Sequence, residues 1–358
     1  KIYTYNMEES TPVEPVLYAP IIPTILINGK IGIGTGFSTN IPMFNPLDIC
    51  KNVLALIDKK KQSSMKPWYR GFNGKIEEIS KKKYKSYGIY SNDEETITIT
   101  ELPIGTCTDE YKEFLDKLSF DPKNPKDSQI VESYKCVPHN TQVNITIKLR
   151  NGELQSLIKA DKLVEKLKLE SNINLTNMWL YDAEGHLKLY NSPQEVIKDY
   201  YDFRYKMYEL RKKYYTKVLE NKLGLLKYKK LFIEYYLEGR IVINKTKTEE
   251  NVILQLEKLK FPKLSNKIDD DAIDASDDAN NYDKSYNYLT DMKIFSLTKN
   301  KVEELEKELA KVETEYETYK NTTVENLWKQ EISEFIEAYD KYLISVTDEP
   351  KKKRAKTK

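Results

Sequence analysis

A glycine-rich stretch near the start of the chain holds the residue types best suited to a specific interaction. Residues 14–42 combine several prolines, four glycines and a long apolar run, and Gly32, Gly34 and Gly36 leave Ile33 as a large side chain among small neighbours. Glycine at this density implies special backbone angles or the close approach of another molecule. Proteins use an apolar side chain beside such a backbone to unstack and bend DNA. The stretch therefore predicts a DNA-bending wedge at Ile33.

The same glycines have two other interpretations. A Gly-x-Gly-x-Gly turn can cradle phosphate, with Ile25–Ile27 as the preceding strand, but a dinucleotide-binding turn also needs a helix directly after it. Pro42 and Pro46 interrupt the chain before such a helix can develop, and the lysine and hydroxyl residue of a nucleotide P-loop are missing. An ordinary structural turn stays open as the remaining interpretation.

Metal ligands and nucleophiles are sparse in the sequence. Cys50, Cys107 and Cys136 show neither pairing nor metal-ligand spacing, and there are only two histidines, so we expect reduced thiols and no structural zinc. The chain has 27 tyrosines. The only Arg-Tyr pair, Arg204–Tyr205, lies inside a heptad pattern, which predicts a solvated face of a coiled coil and not a nucleophile.

The charge composition and the apolar runs of the chain indicate which classes of partner it could bind. The 358 residues carry a net charge of only +2, yet 32% of them are charged, and nearly all of the 58 basic residues are lysine. Lysine contacts phosphate as a point charge and is a poor bidentate reader of bases, so any DNA contact is expected to tolerate sequence. No run is apolar enough for a membrane span, and no membrane partner is expected.

Periodicity predicts an α+β fold. Residues 1–50 are read as loop-rich, with a helix beginning at Asn45 and Pro46. The following residues predict an alternation of elements, with strands at Tyr84–Tyr90, Thr96–Ile99, Ile130–Lys135 and Val143–Leu149, a turn at Ser91–Asp93, and helices at Thr108–Leu118 and Leu154–Leu169.

Two heptad seams predict a long antiparallel coiled coil. A capping box at Ser192–Glu195 opens a helix over 193–239. The first seam is Val196, Tyr200, Phe203, Met207, Leu210 and Tyr214, and the second is Val302, Leu305, Leu309, Val312, Tyr316 and Tyr319. The acidic tract at residues 269–278 is read as a disordered insertion, and the basic tail at 351–356 as a nuclear localisation signal, a DNA tether or a solubility feature.

Motifs along most of the chain resemble a known family. The order Glu-Pro, Tyr-x-Pro-Ile-Ile-Pro, Leu-Ile-Asn-Gly, Gly-Ile-Gly-Thr-Gly-x-Ser and Ile-Pro-x-Phe, found here between Glu14 and Phe44, is similar to the segment that follows the catalytic tyrosine in type IIA DNA topoisomerases of the eukaryotic and viral type. Further similar segments are Tyr69–Glu78, Glu101–Thr108, Tyr286–Met292 and Asn326–Lys329. The resemblance covers residues 10 to 345.

The resemblance implies a layout and an activity. It assigns the end of a winged-helix domain with a DNA-bending loop to 1–50, an α/β tower domain to 51–190, the first coiled-coil helix to 191–240, a helical C-gate with the acidic insertion to 241–300, the returning coiled-coil and terminal helices to 301–345 and a basic tail to 346–358. The family passes one duplex through a transient break in another. Its partners would be double-stranded DNA, a second copy bound through the C-gate, and the upstream half of the same enzyme.

The resemblance also implies what the chain does not carry. The nucleophilic tyrosine, the Mg²⁺-binding carboxylates and the ATPase are expected upstream of Lys1, so no catalytic residue, Mg²⁺ or ATP site is expected here, although the whole enzyme would use both. The isolated chain is expected to be inactive. The expected location is the nucleus, or a viral factory or virion for a virus-encoded protein.

DNA-binding residues are carried over from the family's pattern. Gly105 stands where the family has an arginine and Cys107 where it has a DNA-contacting tryptophan, which implies a weaker or shifted grip. The segment Lys168–Asn177 offers a lysine, amides and hydroxyls to phosphate, or is only a polar helix-to-strand loop. The predicted DNA-binding set is Gly32, Ile33, Gly34, Thr35, Cys107, Lys168, Ser171, Asn172, Asn174, Thr176 and Asn177.

Two rival functions remain. A non-catalytic coiled-coil protein bound to chromatin would need no upstream half and no wedge framed by glycine. A fragment of the bacterial gyrase type would carry Gly-Ile-Ala-Val-Gly-Met-Ala-Thr where this chain has Gly32–Ser38, so the sequence favours the eukaryotic or viral type.

Overall fold

The computed structural model describes residues 2–120, 129–137, 143–243, 249–264, 284–293 and 297–347. The predicted acidic insertion and basic tail lie outside these residues. The described elements mix helices with antiparallel strands, which confirms the α+β class. The strands are β1 (Tyr5–Glu8), β2 (Thr11–Pro15), β3 (Lys30–Gly34), β4 (Phe37–Ile41), β5 (Lys75–Ser80), β6 (Lys83–Tyr87), β7 (Ile89–Asn92), β8 (Thr96–Glu101), β9 (Val131–Cys136), β10 (Ile145–Leu149), β11 (Glu170–Asn174), β12 (Met178–Tyr181) and β13 (Leu187–Tyr190). The helices are α1 (Thr24–Asn28), α2 (Pro46–Ile57), α3 (Thr108–Leu118), α4 (Glu153–Lys159), α5 (Leu163–Lys166), α6 (Pro193–Leu237), α7 (Glu249–Lys258), α8 (Asn287–Thr290), α9 (Lys299–Asn321) and α10 (Val324–Thr347).

The chain forms two compact units, one of residues 22–201 and one of residues 1–21 with 202–358. In the first unit a four-stranded sheet in the order β7-β8-β10-β9 packs against α3, α4 and α5. Its core holds the fully buried side chains of Ile97, Ile99, Ile145 and Ile147. The same unit holds a three-stranded sheet in the order β11-β6-β5 and the hairpins β3-β4 and β12-β13. The six predicted segments divide the chain differently and stay predictions.

The first fifty residues are more regular than predicted. They form the hairpins β1-β2 and β3-β4 where loops were expected. Ile25–Ile27 is helical and not a strand, because Pro23 supplies an extended N-cap and Gly29, with φ +63°, ends the helix after five residues. The predicted start of α2 is confirmed, since the Asn45 side chain accepts a hydrogen bond from the Leu47 amide at 2.9 Å.

Three predicted elements of the first unit are wrong in their extent. The strand Tyr84–Tyr90 divides at Gly88 into β6 and β7, which belong to different sheets. The chain passes so close to the Glu101 carbonyl oxygen at this point that an added Cβ would lie 2.4 Å from it, so only glycine fits there. Asn92, placed in a turn, is the last residue of β7. The helix Leu154–Leu169 divides into α4 and α5 near Asp161, whose φ is +52°. In contrast, α3 has its predicted bounds.

In the second unit, α6 and α9 run antiparallel, as predicted. Lys212 contacts the Thr322 carbonyl at 2.6 Å, Glu220 accepts from the Tyr316 hydroxyl at 2.6 Å, and Lys230 pairs with Glu306 at 2.7 Å. Residue numbers in these contacts rise from 212 to 230 along α6 and fall from 322 to 306 along α9 and its C-cap, so the two helices are antiparallel. The predicted seam of α9 includes the buried Leu305, Val312 and Tyr316.

The predicted seam of α6 is correct only in part. Val196 is buried and Phe203 and Met207 are half-buried. Leu210, however, is 47% exposed, whereas Arg204 and Tyr208, outside the predicted seam, are buried. The reason is that this part of α6 is covered by α10 and by the segment that contains Ala19, which accept hydrogen bonds from Tyr208 and Arg204. A heptad pattern predicts which side chains face one partner helix, and it does not predict which side chains a second packed element buries.

Candidate nucleic-acid interface

The hairpin β3-β4 presents Ile33 at its tip. Ile33 pairs with Ser38 and Gly34 with Phe37, so Thr35 and Gly36 form a two-residue turn in which Gly36 has φ +91°. Positive φ at this place favours glycine. Ile33 is 91% exposed, and Thr35 and Gly34 are also exposed. The hairpin thus holds a bare aliphatic side chain next to a tight turn.

The glycines of the hairpin differ in what they require. A side chain at Gly29, at the base, would meet the Ile41 carbonyl oxygen at 2.8 Å, so this position is closed by the fold. At Gly32 and Gly34 the nearest atoms to an added Cβ lie at 3.7 Å and 3.4 Å, which are ordinary contacts. Neither has positive φ. The described fold therefore gives no steric reason for glycine at 32 and 34.

Asn177 lies directly beside this hairpin. The Asn40 amide donates to the Asn177 carbonyl at 2.7 Å, and the Asn177 side-chain amide donates to Ser38 Oγ at 3.0 Å. Thr39 Oγ1 donates to the Trp179 carbonyl at 2.8 Å. These bonds extend the hairpin into the segment before β12, so the structure places two separately predicted site segments together.

Five of the ten residues of the segment Lys168–Asn177 form the strand β11, so the alternative interpretation as a helix-to-strand loop holds only for the residues on either side. Asn172, Asn174 and Thr176 are exposed, while the intervening Ile173 and Leu175 are buried. This alternation is the period of a strand with one solvated face. The three polar side chains thus form a row that leads towards Asn177 and the hairpin.

A turn of three lysines, which the sequence reasoning missed, lies beside this row. The lysine turn is Lys81–Lys83: Lys81 and Lys82 connect β5 to β6, and Lys83 is the first residue of β6. The Lys82 carbonyl accepts from the Leu175 amide at 2.9 Å. Lys81 and Lys83 are exposed, and Lys82 Nζ donates to Asn191 Oδ1 at 3.1 Å. Three consecutive lysines where one strand ends and the next begins were the signal in the sequence for a positively charged patch.

Ser171 and Lys168 have other contacts. Ser171 Oγ donates to the Ile104 carbonyl at 2.6 Å. Ser86 Oγ lies 2.8 Å from Ser171 Oγ and accepts a hydrogen bond from the Ile104 amide at 3.1 Å. This closed ring fixes the Ile104 loop, and the Ser171 hydroxyl is occupied there. The Lys168 ammonium lies 4.5 Å from the centroid of the Phe114 ring, although the residue remains exposed.

The loop before α3 explains one departure from the family's pattern. The Thr106 amide donates to the Pro103 carbonyl at 3.1 Å, and Gly105 at the third position of this turn has φ +85°. Cys107 is exposed at the N-cap of α3 and its side chain makes no capping bond. Asp109 and Glu110 occupy the first turn, where they offset the positive end of the helix dipole. This helix end is a poor phosphate site.

The Arg204–Tyr205 pair does not lie on a solvated face, which corrects that prediction. Arg204 is buried, donates to the Ala19 carbonyl and has its guanidinium carbon 4.3 Å from the centroid of the Tyr208 ring. The Tyr205 hydroxyl donates to Glu325 at 2.7 Å. Both side chains hold the helices together, and the pair is not arranged as a nucleophile with its activating cation.

Other kinds of site are scarce within the described part of the chain. There, no three His, Cys, Asp or Glu side chains come together as potential metal ligands. The helices of that same part include none with the length and hydropathy needed to cross a bilayer.

Most of the chain matches a known protein family. Residues 1–333 match the family model that describes the A-type chain of DNA gyrase and topoisomerase IV. The chain belongs to this family of type IIA topoisomerase proteins.

Relatives and a solved structure agree with this class. The chain is 35% identical over 398 aligned positions to DNA topoisomerase 2 of Acanthamoeba polyphaga mimivirus, covering 95% of the chain and 30% of that protein. It is 36% identical over 355 positions to DNA topoisomerase 2 of Plasmodium falciparum, covering 95% and 25%. The crystal structure of the Plasmodium falciparum topoisomerase II DNA-binding, cleavage and re-ligation domain matches with a TM-score of 0.83 and 35% identity, over 97% of the chain and 48% of that structure.

These matches confirm the resemblance to the eukaryotic and viral topoisomerase II type. They do not favour the rival coiled-coil chromatin protein. The chain spans less than a third of the length of the two relatives.

Proposed function

We propose that these residues form the DNA-bending, tower and C-gate part of an ATP-dependent type II DNA topoisomerase, which passes one duplex through a transient break in another. The observation that carries the proposal is Ile33, 91% exposed beside a two-residue turn in a chain of this family. In the proposed complex Ile33 enters a base step from the minor groove and bends the cleaved duplex.

Magnitudes indicate how the wedge would work. Burying an isoleucine side chain contributes about 1.5–3 kcal/mol, while unstacking one base step costs roughly a few kcal/mol. The wedge alone thus offsets only part of the deformation. The remainder requires phosphate contacts on both sides of the bend, which the protein would make with charged and polar side chains.

The row beside the hairpin is proposed to supply those contacts. Asn172, Asn174, Thr176 and Asn177 would hydrogen-bond phosphates, and Lys81–Lys83 would add positive charge beside Asn174 and Thr176. Thr35, Gly32 and Gly34 would let the DNA backbone approach the hairpin. Lys168 and Cys107 would lie at the margin of the interface, and Ser171 would act by holding the Ile104 loop.

The remaining roles belong to the whole enzyme. The antiparallel α6 and α9 would carry the C-gate, through which a second copy of the chain binds. Strand cleavage would use a tyrosine nucleophile and Mg²⁺ held on carboxylates, and strand passage would use ATP. Other parts of the whole enzyme would supply these groups; the Arg204–Tyr205 pair, which is engaged in packing, is not proposed as the nucleophile. The proposed location is the nucleus, or a viral factory or virion if a virus encodes the protein.

The test is Ile33→Ala in the complete protein. Bending is measured by energy transfer between dyes at the two ends of a short duplex, and cleavage is measured on supercoiled plasmid. We expect loss of bending and a marked loss of cleavage. Ile89→Ala is the matched control, since Ile89 is an exposed strand isoleucine away from the hairpin. Full bending and cleavage by the Ile33 variant would remove the wedge role.

A further inference from the structure

A second isoleucine shares the exposed face of the hairpin with Ile33. Ile31 is 76% exposed and lies two residues earlier in β3, so both side chains project from the same face. Their partners across the hairpin are Asn40 and Ser38, which are also exposed. On the opposite face, Lys30 pairs with the buried Ile41. The hairpin thus has one face against its own unit and one open face with two isoleucines.

The open face differs from the other strands of the unit. In the four-stranded sheet Ile97, Ile99, Ile145 and Ile147 are completely buried. Two neighbouring isoleucines with 76% and 91% exposure form a continuous apolar surface, and such surfaces mark interaction sites. Because Gly32, the residue between them, faces the opposite side of the strand, no side chain of β3 separates the two isoleucines and a partner can contact both.

The spacing of the two residues fits a bent duplex. Side chains at i and i+2 of a strand are about 6.6 Å apart, while successive nucleotides of one strand lie about 3.4 Å apart along the duplex. If Ile33 occupies the opened base step, Ile31 lies farther from the hairpin tip and outside the stack. There it would meet the wall of the minor groove, which deoxyribose sugars make largely apolar. Asn40 on the same face would point at polar groups of the groove, next to Ser38, whose hydroxyl accepts a hydrogen bond from Asn177.

We propose that Ile31 is a second DNA-contacting residue, which packs on the deoxyribose sugars beside the step opened by Ile33. This inference rests on the proposed function. It assigns the wedge two aliphatic parts: Ile33 opens the stack, and Ile31 covers the adjoining groove wall and keeps water from the opened step.

The test compares Ile31→Thr, Ile33→Ala and the control Ile89→Thr in the complete protein. Threonine retains the β-branch that suits a strand and removes apolar surface. Each variant is assayed for DNA affinity across a salt series, for end-to-end energy transfer in a dye-labelled duplex, and for its melting temperature without DNA. We expect Ile31→Thr to bind about tenfold more weakly, from the loss of about two buried carbon groups, with reduced bending, an unchanged salt slope and an unchanged melting temperature.

The outcomes separate the two hypotheses. Unchanged affinity and bending in Ile31→Thr, with Ile33→Ala defective, would overturn the role of Ile31 and leave the wedge at Ile33 standing. A lower melting temperature without any DNA effect would mean that protein covers Ile31, which also overturns the inference. Normal bending by both Ile31→Thr and Ile33→Ala would instead refute the proposed DNA-bending function.

Discussion

Glu331 on α10 is the counter-charge of a buried cluster, and replacing it is expected to destabilise the second unit strongly. Its carboxylate accepts hydrogen bonds from Arg211 and from the Tyr208 hydroxyl, and the Arg204 guanidinium lies 3.8 Å away. Arg204 Nε is buried and has no hydrogen-bond partner. Glu331→Gln retains the shape and removes the charge that two arginines share.

The magnitude follows from burial. Removing one member of a buried ion pair costs about 3–5 kcal/mol because the remaining charge is uncompensated. The side chains of Glu331 and Arg211 keep 25% and 26% exposure, while that of Arg204 keeps 9%. Water can therefore solvate the positive charge of Arg211 in part, but it can hardly solvate that of Arg204. We expect the free energy of unfolding to fall by about 2–3 kcal/mol.

Glu325→Gln is the matched control. Glu325 accepts a hydrogen bond from the Tyr205 hydroxyl on the same pair of helices. Tyr205 is a neutral donor, so losing the carboxylate should cost only about 0.5–1.5 kcal/mol.

The assay is urea unfolding of the chain, followed by tryptophan fluorescence. Of the three tryptophans, Trp328 is completely buried and lies against Tyr208 in this cluster, with ring centroids 5.2 Å apart and ring planes tilted by 31°. The difference between Glu331→Gln and Glu325→Gln should persist in 1 M salt, since buried charges are poorly screened. Equal destabilisation by the two substitutions would refute the idea that Glu331 compensates a buried positive charge.

Two further predictions concern the first unit. Lys83→Ala should weaken DNA binding by the complete protein uniformly across sequences and reduce the slope of log affinity against log salt by about 0.9; Lys117→Ala on α3 should leave the slope unchanged, and equal slopes for both variants would contradict a phosphate contact in the lysine turn. Burial raises the pKa of the Cys50 thiol from 9.0 to about 12, so its neutral form stabilises the fold below pH 9 and that stability is lost as the pH rises towards 12. Cys50→Ala should remove this part of the alkaline decline in melting temperature, and thiol alkylation at neutral pH should label the exposed Cys107 and spare Cys50; equal labelling would contradict the burial argument.

Local signals in the sequence predicted local structure well. The Asn45 cap, the bounds of α3 and the start of α6 at Pro193 depend on residues within one helical turn. The capping bond from the Glu195 amide to Ser192 Oγ, 3.3 Å long, is an example. Such signals are complete within a short stretch and need no knowledge of the rest of the fold.

Long-range contacts explain the failures. The break at Gly88 depends on the Glu101 carbonyl from a neighbouring strand. The burial of Arg204 depends on Ala19, which is 185 residues away. Ile33 is exposed, and its wedge role stays a prediction. The sequence did not single out Ile31 or the lysine turn, because only the observed strand pairing shows which side chains lie beside Ile33 and beside β11.

The bond between Trp328 and Ile21 also has a consequence for the order in which the protein folds. Trp328 Nε1 donates to the Ile21 carbonyl at 2.9 Å across 307 residues of sequence. At ribosomal speeds of about 5–20 residues per second, roughly 15 to 60 seconds separate the synthesis of these two residues. Residues 22–201, a compact unit by themselves, emerge entirely within that interval. The segment before them can be secured by α10 only when translation has passed Trp328, so the earliest part of this chain is among the last to reach its final contacts.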